Sequence, residues 1–79
     1  MITCIDKHRF GVDENGNELF TCFLLSQTIP SSFPQTSYGV KNMNAGEHFA
    51  PGSYMIIVGE DSGNGSVYLW NGSGWYLWE

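Results

Sequence analysis

Two cysteines and two histidines, Cys4, Cys22, His8 and His48, are the side chains of this 79-residue chain best suited to nucleophilic or metal chemistry. Their spacing gives them little support. A nucleophile needs a base within hydrogen-bond reach and a third group that orients the base, and no pattern here sets a carboxylate against either imidazole. Compact metal sites draw on closely spaced pairs such as C-x-x-C or H-x-x-x-H, and the chain has neither. The cysteines are expected to be reduced, buried thiols packed as small apolar groups. The alternatives are a disulfide, which would add about 2–4 kcal/mol in an oxidising compartment, and a metal site shared with the histidines. Asp13, Glu14, Glu18, Glu60 and Asp61 flank turn sequences, where solvation is the ordinary fate of a carboxylate. No catalytic residue, metal site or cofactor is expected, and the chain reads as a non-enzyme.

Glycine-rich stretches fare no better as phosphate cradles. Gly63-Asn64-Gly65 and Gly72-Ser73-Gly74 lie between strand-like segments, whereas a phosphate loop needs helix N-terminal amides and usually a lysine. Asn64-Gly65-Ser66 and Asn71-Gly72-Ser73 match the N-glycosylation pattern, but turn formation by Asn-Gly accounts for both.

The concentrated feature is the tail VYLWNGSGWYLWE. Tyr68, Trp70, Trp75, Tyr76 and Trp78 crowd one hairpin. Strand alternation puts Tyr68 and Trp70 opposite Val67 and Leu69 on the incoming strand, and Trp75 and Leu77 opposite Tyr76 and Trp78 on the outgoing one. One face must cover a core. The other leaves large amphipathic rings that, if exposed, make a contiguous apolar patch. Three uses compete for these rings: core packing, a protein interface anchored by Tyr and Trp, and a platform for stacking sugars.

The elements that must position this hairpin are strands. No window carries a helical apolar stripe over several turns. Asn15-Gly16, Asn64-Gly65 and Asn71-Gly72 are hairpin signals, because Asn and Gly tolerate positive φ. The first hairpin is expected to join His8–Val12 to Glu18–Ser26, with a short strand at Ile2–Ile5 before it. In ELFTCFLLS, Leu19, Thr21, Phe23 and Leu25 face one way and Phe20, Cys22 and Leu24 the other. A strand apolar on both faces is usually central and covered twice, or covered by a partner chain. Pro30 and Pro34 break the pattern, so residues 27–37 read as a loop or arm, with Phe33 between the prolines. A further short strand is expected at Tyr38–Met43. Ser53–Gly59 is the clearest core strand, with Tyr54, Ile56 and Val58 on one face and Met55 and Ile57 on the other. With Ser66–Trp70 and Trp75–Glu79 it forms a three-stranded antiparallel meander. The expected fold is one all-β domain over residues 1–79, a small antiparallel sandwich or barrel built from hairpins.

Composition bounds the partners. A net charge of −5 with only Lys7, Arg9 and Lys41 as basic side chains leaves no basic face for phosphates or for an anionic membrane. No apolar run reaches the ~20 residues of a spanning helix, and MITCIDKHRF lacks the core of a signal peptide. The initiating Met suggests a complete small gene product. At this length the balance of apolar burial against chain entropy comes out near zero, so self-association or docking on a larger body is expected to add stability.

The segment GSYMIIVGEDSGNGSVYLWNGSGWYLWE resembles the β modules of bacteriophage virion proteins, especially head- or tail-fibre and decoration proteins. The matching residues are Gly52, Tyr54, Ile57, Val58, Gly59, Tyr68, Trp70, Asn71, Gly72, Ser73 and Trp75, within residues 46–79. Aromatic hairpins of this kind also occur in bacterial surface and carbohydrate-binding modules. The resemblance implies a virion accessory or structural protein, made in the host cytoplasm, that forms homo-oligomers or docks on larger virion proteins. Pro30, Phe33 and Pro34 would then belong to an arm laid along a neighbour. The alternative is a carbohydrate-binding module that stacks glycans on Trp70, Trp75 or Trp78. A weaker option is a small phage-encoded inhibitor of a host protein.

Overall fold

The computed structural model describes residues 2–59 and 64–78. Six strands follow in order: β1 (Ile2–Val12), β2 (Glu18–Ser26), β3 (Glu47–Phe49), β4 (Tyr54–Ile57), β5 (Val67–Trp70) and β6 (Trp75–Leu77). No helix occurs among the described residues. The strands make one sheet in the order β1-β2-β4-β5-β6, and β3 pairs with β2 beside β4.

The pattern of ELFTCFLLS accounts for the central place of β2. Phe20, Cys22, Leu24 and Ser26 point toward the core, where Cys22, Leu24 and Ser26 are buried. Leu19, Thr21, Phe23 and Leu25 point the other way and are half-buried. One edge of β2 pairs antiparallel with β1 over nearly its whole length. The other edge is shared: β3 pairs in parallel with Glu18–Phe20 and β4 in parallel with Phe23–Ser26. Between them the chain turns aside at Ala50–Ser53, and Ser53 fills the gap. Its Oγ accepts the Cys22 N–H at 3.0 Å and donates to the Ala50 carbonyl at 2.8 Å, while the Ala50 N–H reaches the Phe20 carbonyl at 2.7 Å. Ser53 is fully buried, so this hydroxyl stands in for a missing rung of the ladder.

Residues 27–46 carry the chain from the end of β2 back to β3 and cover one face of the sheet. The Phe33 ring packs on Tyr68 with centroids 4.5 Å apart, and the Pro34 carbonyl accepts the Trp75 indole N–H at 2.7 Å. Further on, Lys41 bridges to β1: its carbonyl accepts the Cys4 N–H and its N–H reaches the Ile2 carbonyl. Between arm and sheet lies the core of Cys4, Cys22, Leu24, Val40, Phe49, Met55, Ile57 and Trp70.

One ion pair locks β1 to this layer. The register slips between Cys4 and Asp6, and this bulge is followed by Lys7 opposite Cys22, on the covered side. The Lys7 ammonium sits 2.6 and 2.7 Å from the two Glu47 carboxylate oxygens and 5.6 Å from the Phe20 ring centroid. Asn44 adds donors from its backbone N–H and side-chain amide. Burial opposes ionisation of Glu47, but the Lys7 and Asn44 hydrogen bonds outweigh it and hold the carboxyl below its ordinary value.

The all-β class and the antiparallel meander of β4, β5 and β6 are as expected. Three local expectations need correction. The sheet is mixed rather than antiparallel, because the 27–46 connection returns the chain parallel to β2. The two short segments expected before the first turn are one eleven-residue strand, its alternation masked by register shifts at Cys4/Asp6 and Arg9/Gly11. Tyr38–Met43 supplies only the isolated bridge at Lys41. In Asn15-Gly16 and Asn71-Gly72 the glycine alone takes positive φ, at 83° and 101°, and Gly65 stands at 84°. The first turn is therefore not the primed type, in which both central residues have positive φ. The Asp13 carboxylate holds it by accepting the Asn15 and Asn17 N–H groups. Glu60, Asp61, Ser62 and Gly63 of the expected polar turn lie outside the described residues.

Ser53→Ala leaves the buried Cys22 N–H without an acceptor and is expected to cost about 1–3 kcal/mol, read as a lower urea midpoint with an unchanged slope. Acid should weaken the fold through Glu47 and Asp13, whose carboxyls both sit below their ordinary values of 4.5 and 3.8. Their stabilisation is complete above those values and is lost as pH falls through the lowered folded ones. Glu47→Gln should therefore make the melting temperature flatter against pH below about 4.5, leaving a residual slope from Asp13.

Candidate functional site

The aromatic hairpin divides between the two faces of the sheet. The register Tyr68↔Leu77 and Trp70↔Trp75 places these four on the arm side of the sheet, where Leu77 at its end stays exposed. Phe49, Trp70 and Trp75 form a mutual cluster with centroids 5.3–5.6 Å apart, edge-on or tilted as ring quadrupoles prefer. The Trp75 N–H is bound by Pro34, whereas the Trp70 N–H is buried without an acceptor among the described residues. The turn that aligns the hairpin is set by Asn71, whose Oδ1 accepts the Ser73 and Gly74 N–H groups.

The opposite face has no covering segment among the described residues. The registers give it two rows. One runs Asp6, Phe23, Tyr54, Leu69, Tyr76, and the other runs Thr3, Leu25, Ile56, Val67. Trp78 extends the second row, its N–H bonded to the Val67 carbonyl, and Val58 follows Ile56 on the same side. Phe23 and Tyr54 meet edge-on at 4.8 Å. Tyr54, Val58, Tyr76 and Trp78 are 36%, 40%, 47% and 62% exposed. Among the described residues the titratable groups on this side are Asp6 and His8, which stand on outer strand β1 and pair with each other at 3.1 Å, and His48, beside Leu19 on β3.

Of the five ring residues singled out from sequence, Tyr68, Trp70 and Trp75 thus build the core, and Tyr76 and Trp78 belong to the open face. Tyr54, Ile56, Val58, Phe23 and Leu25 complete that face. Their signal was present in the two-sided apolar pattern of β2 and β4. In the arm, Phe33 and Pro34 contact this chain's own β5 and β6, and Pro30 is half-buried.

The reactive side chains are occupied elsewhere. Cys4 and Cys22 are buried free thiols on neighbouring strands. Burial pushes the Cys22 thiol up to about 12 and raises that of Cys4, so both stay protonated near neutral pH and are weak nucleophiles. Among the described residues no three His, Cys, Asp or Glu side chains gather to hold a metal ion. His48, beside Leu19 in the β2–β3 ladder, lines an open cleft of about 320 Å3 with Thr36, Ser37, Met43 and Ala45, and the almost fully exposed Tyr38 also borders it.

Comparison with known proteins finds no matching family, no matching curated protein and no matching solved structure.

Trp75→Phe removes the donor that ties the arm to β6 at Pro34. A loss of about 1–2 kcal/mol is expected, together with faster amide exchange in residues 31–41 and no change in the first hairpin, as hydrogen-exchange mass spectrometry would show.

Proposed function

We propose that this chain is a structural accessory protein of a bacteriophage virion, a head or tail decoration, fibre or adaptor component that acts by protein–protein assembly and not by catalysis. The observation that carries the assembly reading is the open apolar face. The chain covers one side of its sheet with its own arm, while Phe23, Leu25, Tyr54, Ile56, Val58, Leu69, Tyr76 and Trp78 remain uncovered on the other. Contiguous apolar faces of this kind, rich in Tyr and Trp and edged with polar groups, suit protein interfaces. The net charge of −5 points the same way, toward protein partners and away from nucleic acid.

The virion setting is supported by the resemblance of residues 46–79. Several of its matching residues have structural duties here: Gly52 and Gly72 take positive φ, Asn71 caps the hairpin turn, and Tyr54 and Val58 stand on the open face. Glycan stacking ranks second. Trp70 and Trp75 are committed to the ring cluster of the core, which leaves Trp78 as the tryptophan a sugar ring could reach.

The setting is tested on phage particles released from cells that carry the gene cluster encoding this chain. The chain is expected to travel with the particles through a density gradient at a fixed copy number per particle. Confinement to the soluble fraction, or neighbouring genes that encode no head or tail proteins, would overturn it.

A further inference from the structure

We propose that the open face is occupied by a second copy of this chain, two sheets stacking about a twofold axis to close a β-sandwich across the dimer. The inference rests on reading the face as an assembly surface and names its occupant. Area is the first argument. With roughly 200 Å2 for an aromatic side chain, the exposed parts of Tyr54, Tyr76 and Trp78, together with Val58 and the half-buried Phe23, Leu25, Ile56, Val67 and Leu69, offer about 500 Å2. Two such faces remove about 1,000 Å2 from water, the size at which specific interfaces begin.

Charge is the second argument. A face built for a different protein commonly presents one sign of charge to meet the other. Among the described residues the open face carries Asp6 and His8, paired with each other at one edge, and His48, beside Leu19 at the β3 corner. The other described charged groups lie elsewhere: Lys7 and Glu47 under the arm, Arg9, Asp13, Glu14 and Glu18 along the first hairpin, and Lys41 on the arm. Among the described residues the apolar rows can therefore meet their own likeness with Asp6, already paired to His8, as the one carboxylate on the face, even though each copy is acidic. Twisted sheets stack in this way at about −30°, with inner faces about 10 Å apart. An isologous contact needs a self-complementary patch. Leu69, between Tyr54 and Tyr76 in the sheet, falls near the middle of that patch.

Sedimentation equilibrium tests the pair directly. The wild-type chain is expected at twice its 8.8 kDa at micromolar concentration. Leu69→Lys and the more exposed Tyr76→Glu should each weaken the dimer by on the order of 100-fold, since each buries an unpaired charge at the contact. Circular dichroism identifies any variant that fails to fold. Tyr38→Ser, on the segment that covers the other side of the sheet, should leave the mass unchanged. A wild-type monomer at about 100 μM, a dimer that survives both face variants, or one broken by Tyr38→Ser would overturn the proposal.

Hydroxyl-radical footprinting of Tyr54, Tyr76 and Trp78, on the isolated protein and on particles, separates this proposal from the reading beneath it. Protection in both samples supports the dimer. Protection only on particles removes the second copy and keeps the assembly reading, and reactivity in both removes both.

Discussion

Opposite Cys22 the backbone of the neighbouring segment has turned aside, and the Ser53 hydroxyl takes over its hydrogen bonding. This lets two short strands, β3 and β4, act as one long partner for β2. A buried strand cannot leave its N–H and C=O groups unpaired without a cost of about 1–3 kcal/mol for each. The continuity of pairing around β2 is therefore what the sheet depends on. It fixes β4 in parallel register, and through β4 it fixes β5, β6 and the direction in which every ring of the terminal hairpin points. Gly59 guards the far end of the same edge, where a Cβ would overlap the Gln27 carbonyl.

The parallel register has a second effect. A parallel return needs a crossover, and in this chain the crossover is an irregular arm that doubles as the covering layer. Its fastenings are mixed in kind: a ring contact at Phe33, a carbonyl at Pro34, backbone bonds at Lys41 and the Lys7–Glu47 pair. With twenty residues spent on one face, the described chain supplies nothing comparable for the other. The exposed rings are thus a product of topology and length as much as of composition.

Much of this was legible in the residues. The alternation in β2, β4, β5 and β6 announced strands, announced that both faces were apolar, and sorted Tyr68 and Trp70 from Val67 and Leu69, and Trp75 from Tyr76 and Trp78, within each strand; the cross-strand register joins Trp75 to Trp70. The alternation could not say which set would be covered, because that depends on where the arm lies, and Phe33 and Pro34 carry no local signal of their destination. The alternation of β1 suggests two pieces because extra residues at Ile5 and Phe10 break its period of two. The Lys7–Glu47 pair joins residues forty apart, and neither side chain sits in a pattern that names its partner. The parallel return has no local signal for a similar reason: strand propensity is blind to direction.

The bulges in β1 carry an implication about growth. A sheet edge with a free row of amides invites another chain to add a strand, and repetition of that step leads to fibres. β1 is a poor template for it. Two register shifts disturb its rungs and Lys41 occupies it near Thr3, while the opposite border, β6, is only three residues long. Lateral extension is thereby discouraged at both ends. Contact through the broad face would stop once that face is covered, so the proposed pairing closes on itself where edge-to-edge addition would not.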